Sequence, residues 1–167
     1  MESHSAPTDV PLPCPPKTHG ADGLPVTTDL RARHHPACFV CSPDCGLGMR
    51  FSLQPDDSVA DQYTFDRSLE GYPGVVHGGI VAAALDGAMT NWLLIHNHPA
   101  VTAELKVRYR HPVASQMPAY VRARLVERSG PLFLMTAELS QQGRRMAIAT
   151  AKFVANAASA KITEACP

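Results

Sequence analysis

The chain of 167 residues lacks an excess of either charge, since 15 lysines and arginines balance 15 aspartates and glutamates. A balanced chain has no overall attraction for nucleic acid or for an anionic membrane, so an anionic ligand must meet local positive charge. The chain also lacks a basic start followed by an apolar run, and its most apolar window, residues 75–95, is interrupted by His77 and Asp86. We therefore expect a cytoplasmic protein without nucleic-acid or membrane partners.

Cysteine is scarce, and the pattern of the five cysteines does not suit a set of disulfides. Their number is odd, and Cys38, Cys41 and Cys45 are crowded into one short segment just after His35. Two thiolates three residues apart on a turn can share a zinc ion, so these four residues are candidate ligands. The other interpretation is a tight turn with small buried thiols, which is favoured because no second, distant pair of cysteines is present.

The glycine-rich stretch Gly71-Tyr72-Pro73-Gly74-Val75-Val76-His77-Gly78-Gly79 is the main feature of the sequence. Glycine and proline at this density predict a tight loop with uncovered backbone amides. A helix is predicted from Ile80 to about Ile95, because apolar residues recur there at helical spacing: Val81, Leu85, Ala88 and Trp92. The start of such a helix offers free amide hydrogens and the positive end of its dipole, which suits a carbonyl oxygen that is becoming negative.

The remaining pattern predicts one α+β domain. Prolines without apolar periodicity predict a flexible arm over residues 1–33, residues 34–155 form the domain with the cysteine turn at 34–46, and residues 156–167 form a tail. Alternating apolar residues separated by turn residues predict six strands: Leu47–Leu53, Val59–Phe65, Val101–Tyr109, Ala119–Glu127, Leu132–Gln141 and Arg144–Val154. An antiparallel sheet of about six strands and one long helix can bury both apolar faces only if the sheet wraps the helix.

At this point the sequence resembles a known family. The run Gly-Tyr-Pro-Gly-Val-Val-His-Gly-Gly-Ile, with an aspartate nine residues after the histidine, is similar to the hotdog-fold acyl-coenzyme A thioesterases of the phenylacetate-pathway type. The resemblance runs from Cys38 to Val154 and includes Cys-Phe-Val-Cys followed by Gly-Leu-Gly-Met-Arg-Phe. It implies a homodimer whose sheets join edge to edge, often a dimer of dimers, that hydrolyses an acyl or aryl-acyl thioester and needs no cofactor beyond the coenzyme A of its substrate.

The resemblance also implies roles for individual residues. Gly78 would provide the oxyanion-hole amide, His77 would orient the thioester or the loop, and Asp86 would be the nucleophile or general base. Thr102 would support the attacking water. Residues expected to bind substrate are Gly71, Gly79, Arg110, Ser129 and Gly130. From the residues alone, His77 is equally well explained as a helix cap and Thr102 as an ordinary strand residue.

Helix geometry places a condition on this site. Gly78 and Asp86 are eight residues apart, which on one helix is an axial separation of about 12 Å. One carbonyl group cannot touch both, so a site that uses both must take them from different chains across a two-fold axis.

Two other functions stay open at this point. One is a binding module that holds a thioester without cleaving it. The other is a metal or redox sensor built on the cysteines. An α/β-hydrolase is excluded, because no Gly-x-Ser-x-Gly segment occurs.

Overall fold

The computed structural model of this chain describes residues 37–42 and 46–155. The predicted arm at 1–33, the predicted tail at 156–167, His35 and Cys45 lie outside the described residues. The elements follow in this order: β1 (Ser52–Leu53), β2 (Val59–Thr64), a 3-10 turn (Arg67–Leu69), β3 (Glu70–Tyr72), β4 (Val75–Val76), α1 (Gly78–Ile95), β5 (Val101–Tyr109), β6 (Pro118–Ser129), β7 (Leu132–Gln141) and β8 (Arg144–Val154).

Six strands form one antiparallel sheet in the order β1-β2-β6-β7-β8-β5. Helix α1 lies against five of them, namely β2, β5, β6, β7 and β8. The predicted α+β architecture, a sheet wrapped around one long helix, is therefore confirmed. Strand β5 pairs only with β8 and forms one edge of the sheet.

Small residues let the helix approach the sheet closely. Ala123, Ala137 and Ala149 are register partners in one row across β6, β7 and β8, and each is at least 98% buried. The predicted apolar stripe of the helix faces the core, since Val81, Leu85, Ala88 and Trp92 are each exposed by 3% or less. By length and composition α1 could cross a membrane, but 56% of it is buried inside this domain, as expected for a core helix.

One predicted boundary was wrong at the start of the domain. The predicted strand Leu47–Leu53 is reduced to the two residues of β1, because the amides of Leu47 and Met49 donate to the carbonyls of Phe39 and Val40 at 2.7 and 2.8 Å. These bonds hold the segment against the cysteine turn and remove it from the ladder.

The glycine-rich loop also contains more regular structure than expected. Strands β3 and β4 pair antiparallel around the turn at Pro73 and Gly74, where Gly74 has a φ of +76°. Helix α1 begins at Gly78, two residues before the predicted start. Strand β2 ends one residue before its predicted bound, and the four strands after the helix match their predicted bounds or extend them by one or two residues.

Candidate active site

His77 caps the start of α1. Its Nδ1 atom accepts a hydrogen bond from the backbone N–H of Gly79 at 3.0 Å, and its carbonyl accepts from the amides of Ile80 and Val81 at 2.9 and 3.2 Å. The ring therefore satisfies one of the free N–H donors of the first helical turn, as a helix cap does.

Tyr109 reaches the same turn from the end of β5. Its hydroxyl donates to the carbonyl of Gly78 at 2.8 Å, and a Cβ atom on Gly78 would lie in ordinary contact with the tyrosine ring, 3.6 Å from Cζ. The sequence analysis did not identify Tyr109 as a site residue. The strand prediction placed it last in Val101–Tyr109, but nothing in the sequence pattern connects its hydroxyl to the helix start.

These contacts occupy almost every polar atom of the two peptide groups that flank Gly78. The carbonyl of His77, the carbonyl of Gly78 and the N–H of Gly79 all have the partners just described. The N–H of Gly78 is the first of the helix, where no carbonyl of the same helix can reach it. Among the described residues it has no hydrogen-bond partner, and it is therefore a fixed donor for a ligand atom.

A cavity of about 490 Å³ opens beside this donor. Its walls combine apolar side chains with two aromatic rings, and their residues are Gly71, Tyr72, Val75, Val76, His77, Gly78, Val81, Tyr109, Arg110, His111, Pro112 and Val113. The volume and lining suit a medium-sized organic ligand. Four of the predicted site residues line it together: Gly71, His77, Gly78 and Arg110.

The buried side chain of Gln141 supports the wall formed by the segment after β5. Its Oε1 atom accepts from the amide of Ala114 at 2.9 Å, and its Nε2 atom donates to the carbonyls of Ala114 and Met117 at 2.9 and 3.1 Å. The amide of Val76 then donates to the carbonyl of Val113 at 2.9 Å. Gln141 thus anchors the cavity wall. In the sequence pattern it is only the last residue of a predicted strand, and its contacts with a distant segment could not be predicted from that pattern.

Glu70 is attached to the same wall. Its carboxylate accepts from the hydroxyl of Ser115 at 2.5 Å. This hydrogen bond, followed by one from the amide of Gly74, lowers the pKa of Glu70 below its ordinary value of 4.5. Because both hydrogen bonds favour the charged form, the hairpin is held by a carboxylate.

Asp86 lies further along the helix, half-buried beside the start of β5. Its Oδ1 atom accepts from the hydroxyl of Thr102 at 2.9 Å. A register shift between Thr102 and Glu104 turns Thr102 inward, opposite the buried Phe153. The structure therefore brings together Asp86 and Thr102, the two residues predicted to act on water.

Within one chain, however, Gly78 and Asp86 are not brought together. Gly78 contacts Tyr109 at the end of β5, whereas Asp86 contacts Thr102 at its beginning. The helix therefore runs antiparallel to β5, and Asp86 is absent from the residues that line the cavity. This agrees with the axial separation of about 12 Å expected from helix geometry.

The predicted substrate-binding residues fall at both ends of the sheet. Ser129 ends β6 and Gly130 follows it in the turn to β7, beside Arg128, whose guanidinium lies 4.8 Å from the ring centre of Phe133. Register pairs connect Thr102 to Phe153, Phe153 to Phe133 and Phe133 to Arg128, so this turn lies at the Asp86 end.

Gly79 and His98 lie at opposite ends of this arrangement. Gly79 lies in the first turn of the helix, where its amide is taken by His77. His98, 3.3 Å from Arg128, has a pKa lowered by burial and by the neighbouring positive charge.

The cysteine turn packs on the helix next to Asp86. Cys38 is half-buried and Cys41 is buried. Val40, between them, lies against Gly87 so closely that a Cβ atom there would be 2.4 Å from its Cγ1 atom. Residues 37–42 and 46–155 contain no group of three or more histidine, cysteine, aspartate or glutamate side chains placed to hold a metal. Since His35 and Cys45 lie outside these ranges, the zinc knuckle stays a prediction.

The fold and this arrangement define a hotdog protein. Residues 73–154 match the sequence model of the thioesterase superfamily. No curated protein is similar enough in sequence to count as a match.

Solved structures show the same fold. A thioesterase superfamily protein is 24% identical with a TM-score of 0.66, and the match covers 73% of this chain but only 63% of that one. A phenylacetic acid degradation-related protein from Ralstonia eutropha JMP134 is 25% identical with a TM-score of 0.56, covering 65% of this chain and 85% of that one. The E. coli PaaI protein from the phenylacetic acid degradation operon is 15% identical with a TM-score of 0.60, covering 65% and 83%.

Proposed function

We propose that this protein is an acyl-coenzyme A thioesterase that hydrolyses an acyl or aryl-acyl thioester at the interface of a homodimer. The observation that carries the proposal is the N–H of Gly78, the first of the helix, in the lining of the cavity. The match of residues 73–154 to the thioesterase superfamily supports the reaction class.

The exposed edge strand β5 supports the proposed dimer. This edge strand has nine residues with one unpaired side, and its inward-facing side chains Leu105 and Tyr109 are 36% and 52% exposed. A second copy pairing antiparallel about an axis near Leu105 would place its Tyr109 end beside the Thr102 end of the first. Gly78 of one chain and Asp86 of the other would then face one thioester, with two sites per dimer.

The chemistry needs only these groups. The Gly78 amide stabilises the negative oxygen that forms when the thioester carbonyl is attacked, and the helix dipole adds to this stabilisation. Asp86 accepts a proton from the attacking water as general base, or attacks directly as nucleophile. Thr102, which contacts Asp86, is placed to hold that water.

Positive charge for the coenzyme A phosphates is available near the cavity. Arg110 lines it, and the guanidinium of Arg144 lies 3.2 Å from the Nδ1 atom of His111, another lining residue. Guanidinium groups are well suited to phosphate because they donate in a planar fork. We assign the phosphate contacts of the substrate to this group.

The experiment is hydrolysis of short, long and aromatic acyl-coenzyme A thioesters by the wild type and by Asp86→Asn, followed by thiol release. We expect the variant to lose at least a hundredfold in kcat, the usual contribution of a general base. Glu127→Gln, the same chemical change at an exposed position on β6, is the control and should keep full activity. Thioester binding without hydrolysis by the wild type would instead indicate a binding module, and full activity in Asp86→Asn would remove Asp86 from the reaction.

A further inference from the structure

Tyr109 lines the cavity, and its hydroxyl donates a hydrogen bond to the backbone carbonyl of Gly78. We propose that Tyr109 is a positioning residue, whose hydroxyl fixes the Gly78 peptide so that its N–H points at the thioester oxygen. The proposal rests on the proposed function, because it concerns the same oxyanion donor.

The need for such a residue comes from the two glycines. Gly78 and Gly79 occupy the first turn of α1, and glycine has more backbone freedom than any other residue. A donor that moves must be reordered during the reaction, whereas a fixed donor stabilises the developing charge without that loss. The N–H of Gly78, the proposed donor, therefore lies where the backbone alone restricts its direction least.

The structure compensates for this freedom from two sides. The peptide group between Gly78 and Gly79 is held at its N–H by His77 and at its carbonyl by Tyr109. The preceding peptide group is held at its carbonyl by the amides of Ile80 and Val81. The Gly78 N–H belongs to this preceding peptide group. Because this group and the next one are both held, the direction of the Gly78 N–H is fixed.

The phenol ring alone does not explain this arrangement. A phenylalanine at position 109 would keep the aromatic ring and would lose only the hydroxyl bond to the Gly78 carbonyl. Tyr109→Phe therefore removes one interaction and leaves the packing in place. Tyr120→Phe is the matched control, because Tyr120 is 41% exposed on β6 and is absent from the cavity lining.

The first readout is hydrolysis. We expect Tyr109→Phe to lower kcat about tenfold with a KM within twofold of the wild type, because the lost interaction matters mainly in the transition state. Tyr120→Phe should match the wild type in both constants. Unchanged kcat in Tyr109→Phe would refute the positioning role while leaving the thioesterase proposal intact.

The second readout does not depend on hydrolysis. Two stable analogues are compared in binding: a fluorinated ketone, which forms a tetrahedral adduct with a negative oxygen as in the transition state, and a thioether that lacks the carbonyl. The wild type should prefer the ketone, and Tyr109→Phe should lose most of that preference while binding the thioether equally well. An equal preference in both proteins overturns the proposal, even where no turnover is measured.

Discussion

The hydroxyl of Thr102 donates to Asp86 across 2.9 Å, and this bond connects the edge strand β5 to the central helix. Seven residues further along the same strand, Tyr109 makes the corresponding contact to Gly78. One strand therefore contacts the Asp86 carboxylate with one hydroxyl and the Gly78 carbonyl with another.

Removal of the Thr102 hydroxyl should weaken hydrolysis. Thr102→Val keeps the branched shape and loses the hydrogen bond to Asp86, so we expect kcat to fall about tenfold, within the range for a supporting group in proton transfer. Thr102→Ser keeps a hydroxyl and should recover most of the loss. Thr150→Val, an exposed threonine on β8, is the control. Equal kcat values for the valine and serine variants would leave Thr102 only a packing role.

Two inactive chains should restore activity when mixed. Gly78→Pro removes the amide hydrogen at the first helical position, where proline is tolerated, and the extended backbone of His77 suits a residue before proline. We expect co-expressed Gly78→Pro and Asp86→Asn chains to show about a quarter of wild-type activity, since half of the dimers would carry one intact site.

Gly78→Ala serves as the control for the proline variant. It keeps the N–H, and its Cβ atom would meet the ring of Tyr109 at an ordinary 3.6 Å, so it should remain active on its own. If the mixture stays as inactive as each homodimer although mixed dimers are isolated, Gly78 and Asp86 do not share a site across the interface.

The stability of the cavity wall should depend on pH through Glu70. The folded-state pKa of Glu70 is lowered, mainly by the hydroxyl of Ser115, so its contribution to stability is present above the unfolded value near 4.5 and is lost as the pH falls through the folded value. Ser115→Ala should therefore shift the urea midpoint down at pH 7 and lose less between pH 6 and pH 3 than the wild type. Ser140→Ala, on β7, is the control, and a pH dependence equal to that of wild type in Ser115→Ala would contradict this assignment.

Gly87→Ala should destabilise the protein even though alanine favours helices by about 1 kcal/mol over glycine. The added Cβ atom would lie 2.4 Å from Val40, so the cysteine turn must move. We expect a net loss of about 1 to 3 kcal/mol in urea unfolding, as for other overpacked positions. Val40→Ala makes room, and in the double variant the Gly87→Ala change should cost less. A stabilised Gly87→Ala protein would mean that the turn does not pack there.

Much of the fold could be read from periodicity. The helix and the four strands after it follow regular apolar spacing, and their bounds agree with the structure to within about two residues, the usual uncertainty of such boundaries. The first strand was predicted too long, because Leu47 and Met49 alternate as strand residues do but bond to the cysteine turn. Such a bond depends on which segment lies nearby, and alternation carries no information about that.

The site was predictable only in part for the same reason. His77, Gly78 and Asp86 stand out because their spacing is local to one loop and one helix. The spacing of Asp86 and Thr102 is not local, and their contact further depends on a register shift in β5. Tyr109 and Gln141 act through backbone groups distant in sequence, which a pattern of residue types does not record.

The cavity wall has a different origin from the groups that we propose to react. Its lining comes mainly from the β3–β4 hairpin and from residues 110–113, while Gly78 and Asp86 are carried by the helix and contact β5. Changes in the hairpin would therefore alter which substrate fits without moving Gly78 or Asp86. In such an arrangement, substrate preference can diverge between relatives while the reaction stays the same.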